Sequence, residues 1–105
     1  MSDCLFCKIS AKLISAKIIY EDDIMLAFHD IAPKADVHFL IIPKQHIESM
    51  LALTSEHESL MGKILVKANE LAIQHDLTGY KTFIHTGIKG GQEVFHLHVH
   101  VMGNR

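Results

Sequence analysis

Three alternating histidines near the carboxyl end of the chain are the strongest chemical signal in the sequence. The stretch "HLHVH" occupies residues 96–100, so His96, His98 and His100 alternate with aliphatic residues. On a strand, alternate side chains share one face and lie roughly 7 Å apart. His96 and His100 would be roughly 13–14 Å apart, too far to bind one ion together with His98. The pattern fits a polar strand face without function, a metal site of two histidines, or nucleophilic catalysis by a neutral imidazole.

A glycine-rich loop runs directly into this histidine strand. "TGIKGGQ" occupies residues 86–92, and Gly87, Gly90 and Gly91 allow backbone N–H groups to approach an anion closely. The side chain of Gln92 adds a neutral donor. A loop of this kind beside a nucleophile favours phosphorus over a carbonyl carbon as the atom attacked.

The two cysteines form a separate candidate site. Cys4-x-x-Cys7 supplies half of a tetrahedral zinc site. The alternatives are two bare thiols or a redox pair, and a redox pair needs a strand–helix context that the sequence lacks. Spacing alone leaves the zinc site and the bare thiols open.

Length and composition bound the classes of function. A chain of 105 residues with 49% hydrophobic and 21% charged residues predicts one packed domain, placed here at 4–105. The net charge of -2 disfavours long nucleic acids and acidic membrane surfaces as partners. No apolar run reaches the length of a membrane span, and "MSDCLFCKIS" lacks the features of a secretory signal. We therefore expect a cytoplasmic protein with reduced cysteines.

The pattern of apolar residues predicts the elements that must position these groups. "CLFCKIS" is a short helix or turn, "KIIYEDDIMLAFHD" contains two strands around an acidic turn, and "VHFLIIP" is an interior strand. Ser55 and Glu58 predict a capping box at the start of a long helix, which Gly79 would end. "YKTFIH" and "VFHLHVHVM" complete a five-stranded, mainly antiparallel sheet. The fold class is α+β with one long helix and a short N-terminal helix.

The long helix has an apolar arc wider than one sheet can cover. Besides a broad stripe that includes Ile64, Ala68 and Leu71, apolar residues at Val66 and Ile73 lie outside that stripe. Packing against a second copy of the chain is the simplest way to bury these additional apolar residues. The sequence predicts a homodimer with the long helices and an adjoining strand at the interface.

Several separated stretches resemble one known family. "GQEVFHLHVHVM" resembles the signature of the histidine triad (HIT) superfamily, and "CLFCKI", "KIIYEDD", "LAFHDI" and "HFLIIPKQHI" resemble stretches of its nucleotide-binding branch in the same order. The resemblance implies a HIT-like fold that hydrolyses purine nucleoside phosphoramidates, or adenylylated amines, through a covalent nucleotidyl-histidine. Dinucleoside polyphosphate hydrolysis, or nucleotide binding with incidental hydrolysis, are the alternatives.

The resemblance also implies roles for particular residues. His98 would be the nucleophile, His100 and Gln92 would donate to the phosphate, and His38 would support the triad. Aromatic and aliphatic side chains would hold a purine and Asp30 would accept from the ribose hydroxyls, although ordinary core packing explains the apolar members equally well. The expected nucleotide-binding residues are Leu5, Phe6, Phe28, His29, Asp30, Ile31, His85, Gly91 and Glu93.

In a subset of the superfamily a cysteine pair is completed by two histidines, which correspond here to His46 and His96. The resemblance thus implies one structural zinc on Cys4, Cys7, His46 and His96, with no cofactor needed for catalysis. Three features depart from the usual pattern. Glu93 replaces a serine, His85 replaces an asparagine near the phosphate, and many relatives continue beyond the position of Arg105 into a tail that shapes substrate preference.

Overall fold

The computed structural model describes residues 3–105. Met1 and Ser2, which begin the segment compared above with a secretory signal, lie outside the described residues. The helices are α1 (Leu5–Ser10) and α2 (Glu58–Gln74), and the strands are β1 (Ile18–Glu21), β2 (Met25–His29), β3 (Val37–Pro43), β4 (Lys81–Phe83) and β5 (Val99–Gly103). Three short 3-10 turns lie at Met50–Ala52, Ser55–His57 and Ile88–Gly90. No helix within 3–105 has the length and apolar character needed to cross a membrane.

The strands form one antiparallel sheet in the order β1-β2-β3-β5-β4. β3 lies at the centre and every residue in it is buried, as the continuous apolar run predicts. The α+β class, the five strands and the two helices are therefore confirmed.

The two faces of the sheet are covered unequally. α2 packs its buried residues Ile64, Ala68, Leu71 and Ala72 on one face, against alternate residues of β2, β3 and β5. The opposite face is covered by the short α1, whose Phe6 packs with β2 and β3 residues, and by the loop residues Ala16 and Val94. The histidines of the triad lie on this side of the sheet, where Phe6 contacts the rings of His96 and His98.

The predicted ends of the long helix are wrong. Thr54, not Ser55, is the capping residue, and its capping box with His57 starts the 3-10 turn that precedes α2. α2 itself begins at Glu58 without a side-chain cap. It ends at Gln74 rather than near Gly79, because Asp76 adopts a left-handed backbone conformation with φ of 65°. Aspartate tolerates that conformation better than most residues, so the turn needs no glycine.

The last strand is also shorter than predicted. β5 pairs with β3 only from Val37↔Gly103 to Ile41↔Val99. Before Val99 the chain leaves the sheet, and the N–H of Leu97 donates to the carbonyl of Ile47 instead. His96 and His98 therefore lie on an irregular segment, which allows His96 to approach residues far from the strand.

Candidate active site

The ring orientation of His98 is fixed by its own backbone. Its Nδ1 lies 2.7 Å from the carbonyl oxygen of His96, which can only accept, so Nδ1 carries the proton. In the neutral ring the lone pair is then on Nε2. Burial lowers the pKa of His98, which favours this neutral form. Phe6 contacts the ring edge to face, with centroids 5.0 Å apart. His98 is thus held as a neutral imidazole with a bare Nε2.

A relay of hydrogen bonds fixes the tautomer of His100. The backbone N–H of Lys34 donates to Nδ1 of His38, so the proton of a neutral His38 is on Nε2. That Nε2 is 3.1 Å from Nδ1 of His100 and donates to it. The remaining proton of His100 is therefore on Nε2. This atom is buried and has no hydrogen-bond partner among residues 3–105.

An unpaired buried donor is costly, by about 1–3 kcal/mol. Its position beside His98, with ring centroids 5.0 Å apart, suggests the missing partner. An anionic oxygen next to the bare Nε2 of His98 would accept from His100. Burial and the neighbouring His98, His38 and His85 lower the pKa of His100 to about 4, so the ring is a neutral donor at pH 7.

The glycine-rich loop does not present its glycine N–H groups to a ligand. The N–H of Gly90 donates to Gly87, that of Gly91 to Ile88, and that of Gln92 to Gly87. Gly87 and Gly91 have φ of 74° and 90°, values that suit glycine. These turns close the loop on itself.

The N–H of Gly91 is therefore used within the loop, and the expected place of Gly91 in the nucleotide site stays a prediction. The N–H of Glu93, the next residue after the closed loop, has no protein acceptor within residues 3–105. This N–H is therefore free to donate to a ligand.

The expected donation from Gln92 to the phosphate also disagrees with the structure. Its Oε1 accepts from the N–H of Gly87 at 2.9 Å, and its Nε2 donates to the carbonyls of Glu48 (2.7 Å) and Val94 (3.0 Å). The side chain is 5% exposed. Because both amide protons are in use, Gln92 holds the loop in shape and ties it to the segment at Glu48.

The aromatic part of the expected nucleoside pocket is largely buried. Phe6 and Phe28 pack edge to face with centroids 5.5 Å apart and belong to the core under α1. Leu5 is half-exposed and Ile31 is 100% exposed, so both can contact a ligand. Asp30 accepts from the N–H of Ala32 through Oδ1, and its Oδ2 lies 3.4 Å from Nε2 of His38.

His29 does not contribute its side chain to this pocket. Its ring packs edge to face on His75, with centroids 5.6 Å apart, and His75 follows the last turn of α2. Strand alternation places His29 on the α2 face of the sheet, whereas Phe28 lies on the α1 face. Only the backbone of His29 remains near the expected site.

Cys4, Cys7, His46 and His96 converge as a second cluster, with their ligand atoms all within 4.8 Å of one another. Nδ1 of His96 lies 3.3 Å from Sγ of Cys4, 3.5 Å from Sγ of Cys7 and 3.2 Å from Nδ1 of His46. Bonds of about 2.0–2.3 Å to a tetrahedral ion place ligand atoms roughly 3.3–3.8 Å apart. The four groups fit that arrangement.

The hydrogen bonds of His96 prepare it as a ligand. Its Nε2 donates to the carbonyl of Pro43 at 2.8 Å, which leaves the Nδ1 lone pair facing the cysteines. The ring is 0% exposed. Burial and the neighbouring Cys4 raise the pKa of the Cys7 thiol to about 11, so binding a cation here would release a proton. Two sulfur and two imidazole ligands are typical of structural zinc.

Asp30, His38 and His100 also bring ligand atoms within 4.8 Å of one another. The relay described above argues against a metal there. His38 accepts at Nδ1, so its Nε2 must keep the proton that a metal would displace. We interpret this group as a hydrogen-bond relay.

Two residues that the sequence pattern does not indicate also contribute to the site. The backbone N–H of Lys34 sets the tautomer of His38 from a loop without a recognisable motif. Phe83 stacks on His100, with centroids 4.5 Å apart and planes within 6°. The alternation of β4 against the histidine strand could have indicated Phe83, because it is paired with His100 in the sheet.

Comparison with known proteins agrees with the geometry. A family profile described as "Scavenger mRNA decapping enzyme C-term binding" matches residues 3–105. The chain is 52% identical over 104 residues to Protein HitA of Neisseria gonorrhoeae, covering 98% of this chain and 97% of the relative. The chain belongs to the histidine triad family. This HIT protein is also 38% identical to the purine nucleoside phosphoramidase of Escherichia coli, over 98% of this chain and 88% of that protein.

Solved structures of the HIT family share the fold. A HIT family hydrolase from Legionella pneumophila superposes with a TM-score of 0.96 at 42% identity, covering 98% of this chain and 94% of the other. A histidine triad protein from Clostridium difficile gives a TM-score of 0.95 at 36% identity, with coverage of 100% and 93%. The resemblance of the motifs to the histidine triad superfamily is thereby confirmed. Membership of a family that includes hydrolases supports a hydrolase activity for this chain.

Proposed function

We propose that this HIT protein hydrolyses the P–N bond of purine nucleoside phosphoramidates. The observation that carries the proposal is the pairing of two complementary nitrogens. His98 offers a bare Nε2, and beside it His100 offers a buried N–H without a partner. A phosphoryl group satisfies both, because its phosphorus is electrophilic and its oxygens accept hydrogen bonds.

The reaction would proceed in two displacements. Nε2 of His98 attacks phosphorus, the amine leaves, and a nucleotidyl-histidine forms. Water then attacks the same phosphorus and returns the electron pair to Nε2. His100 and the N–H of Glu93 would hold the nonbridging oxygens as charge shifts during both steps. A neutral nucleophile suits this substrate, since the negative oxygens repel an anion.

The nucleoside would lie on the side of the sheet that α1 covers, beside Phe6 and Phe28. Ile31 and Leu5 are exposed at the rim, and the carboxylate of Asp30 is available for the ribose hydroxyls. The choice of a purine rests on the name of the relative in Escherichia coli, a purine nucleoside phosphoramidase.

We further propose that Cys4, Cys7, His46 and His96 hold one structural zinc ion. The metal would stabilise the junction between α1 and the segments that carry His46 and His96. It takes no part in the chemistry. Thiolate ligands suit a reducing compartment, in line with the cytoplasmic location expected from the sequence.

The homodimer remains a proposal as well. Val66, Ile73 and Leu65 on α2 are 61%, 62% and 50% exposed, and β4 is an edge strand with open N–H groups. Light scattering should give a mass near twice the 11.8 kDa of one chain. Val66→Lys should shift the mass toward the monomer, whereas Ser59→Lys on the polar edge of α2 should not. A wild-type monomer at micromolar concentration would contradict the dimer.

Brief mixing with an adenosine phosphoramidate, followed by quenching and intact-mass analysis at neutral to basic pH, tests the function. We expect one added AMP on the wild type and none on His98→Asn. A diadenosine polyphosphate run beside it distinguishes the substrate classes. Faster turnover of the polyphosphate would overturn P–N specificity. An adduct that persists on His98→Asn would overturn the nucleophile.

A further inference from the structure

His85 is the one histidine beside the phosphate site that the reaction above does not use. It follows β4, and its ring centroid lies 5.3 Å from that of His100 and 5.2 Å from that of Phe83. Its ring atoms lie 3.9 Å from the point where a side chain on Gly91 would begin. His85 therefore occupies the space between the triad and the glycine-rich loop.

The imidazoles around the site differ in their freedom to gain and lose a proton. Each of the rings of His98, His38 and His100 has its Nδ1 committed to an internal hydrogen bond. Neither ring nitrogen of His85 has a protein partner within residues 3–105, and its ring is exposed. A protonated His85 stays hydrated, whereas a cation on the buried rings would lose its water.

The charge on His85 bears on the two buried rings of the phosphate site. Burial lowers the pKa of His98 and of His100, and a positive charge on His85 lowers both further. His85 is thus close enough to act on both rings. The other groups that bear on this cluster are His38 and the carboxylate of Asp30.

An amine leaves phosphorus readily only if its nitrogen gains a proton, and no group assigned above supplies one. We propose that His85 donates this proton to the departing amine and accepts a proton from water in the second step. The inference rests on the proposed function and deepens it. His85 becomes a catalytic residue that determines which leaving groups the enzyme can use.

The two steps balance. In the first, the lone pair of His98 forms the new bond to phosphorus, the P–N electron pair moves to the amine nitrogen, and the proton of cationic His85 neutralises it. In the second, the water oxygen bonds to phosphorus, its proton returns to His85, and the bond pair returns to Nε2 of His98. AMP and the amine are the products, and both histidines end in their starting states.

Glu93 is the competing donor, because it follows the loop and its carboxyl has no hydrogen-bond partner within residues 3–105. Glu93 is exposed, and a carboxyl group donates a proton near neutral pH only where its environment keeps it protonated. Its negative charge would also repel the phosphate oxygens. The imidazolium form of His85 would instead attract those oxygens and could pass its proton to the amine nitrogen.

Two adenosine substrates with different leaving groups separate these possibilities. An alkylamine phosphoramidate requires a proton, whereas a p-nitrophenyl ester of AMP releases a stable phenolate without one. We expect His85→Asn to lower kcat about a hundredfold on the alkylamine, the lower range for general acid catalysis, and by less than about threefold on the ester. His57→Gln, far along the chain on the turn before α2, is the matched control and should leave turnover of both substrates unchanged.

The kinetic results distinguish His85 as the proton donor from His85 as a structural residue and from Glu93 as the donor. Equal losses on both substrates would make His85 a structural residue, and no loss on the alkylamine would exclude it as the donor. A selective loss in Glu93→Gln instead of His85→Asn would assign the proton to Glu93. Failure of wild type on both substrates would overturn the proposed function, and the inference with it, whereas wild-type turnover with an unselective His85→Asn would overturn the inference alone.

Discussion

His96 and His98 are two residues apart and are both buried, yet their environments give them opposite chemistry. His96 donates Nε2 to the carbonyl of Pro43 and directs its Nδ1 at two cysteines and His46. His98 donates its Nδ1 proton to the carbonyl of His96, which leaves the lone pair on its Nε2. The choice of which nitrogen meets a backbone carbonyl decides which nitrogen remains reactive. The same side chain is thereby suited to bind a metal in one place and to attack phosphorus in the next.

Replacing the nucleophile should give the largest effect. His98→Ala should lower kcat at least about a thousandfold, because covalent catalysis is lost, while AMP still binds. Steady-state kinetics and calorimetry on one sample measure both quantities. Turnover near the wild-type rate would show that the bare Nε2 of His98 is not the attacking atom.

Replacing a cysteine should lower stability strongly and kcat only weakly, the opposite of replacing His98. Cys4→Ser should remove the bound metal and lower the free energy of unfolding by at least about 2 kcal/mol, or about 8–16 °C in Tm. The kcat of the remaining folded protein should fall less than about tenfold. Elemental analysis and thermal unfolding, with Ser10→Ala at the end of α1 as the control, measure this. Metal-free wild type, or a thousandfold loss of kcat in the folded variant, would contradict a purely structural site.

The relay through His38 and His100 should make stability depend on pH. Burial lowers the pKa of both rings, that of His100 from 6.5 to about 4. Between those values the unfolded chain binds more protons than the folded one, so stability is lost as pH falls through this window. Tm of the wild type should therefore drop more between pH 7 and pH 5 than Tm of His100→Asn, by a few °C. Parallel curves for the two proteins would mean that His100 titrates normally.

Replacing Asp30, where the ribose is expected to bind, should give the smallest effect of the four changes. Asp30→Ala should weaken AMP binding severalfold and dAMP binding much less, because dAMP lacks the 2′-hydroxyl that the carboxylate would accept from. Calorimetric titration with both nucleotides measures the difference. Equal losses would make Asp30 a support for His38, whose Nε2 lies 3.4 Å from Oδ2.

Much of the fold could be predicted because it depends on local patterns. The buried run of β3, the alternation along β2 and the stripe of α2 each follow from the period of apolar residues. The ends of α2 could not be predicted, because no sequence motif indicates the cap at Thr54 or the left-handed backbone conformation at Asp76. The site residues were found as types and spacings, and their roles, which rest on resemblance to one family, stay predictions.

The sequence by itself determined which groups are available: four ligands suited to zinc, three imidazoles in alternation and a loop rich in glycine. The tertiary structure decided what each group can do. Gln92 holds the glycine-rich loop in shape because its amide is hydrogen-bonded to three backbone groups. The side chain of His29 lies away from the site because its position on β2 directs it toward α2. His100 was left with an unpaired proton because Lys34 and His38 fix its other nitrogen. The tautomer of each histidine and the hydrogen-bond partners of each side chain depend on atoms that are distant in the sequence. Only folding brings those atoms together.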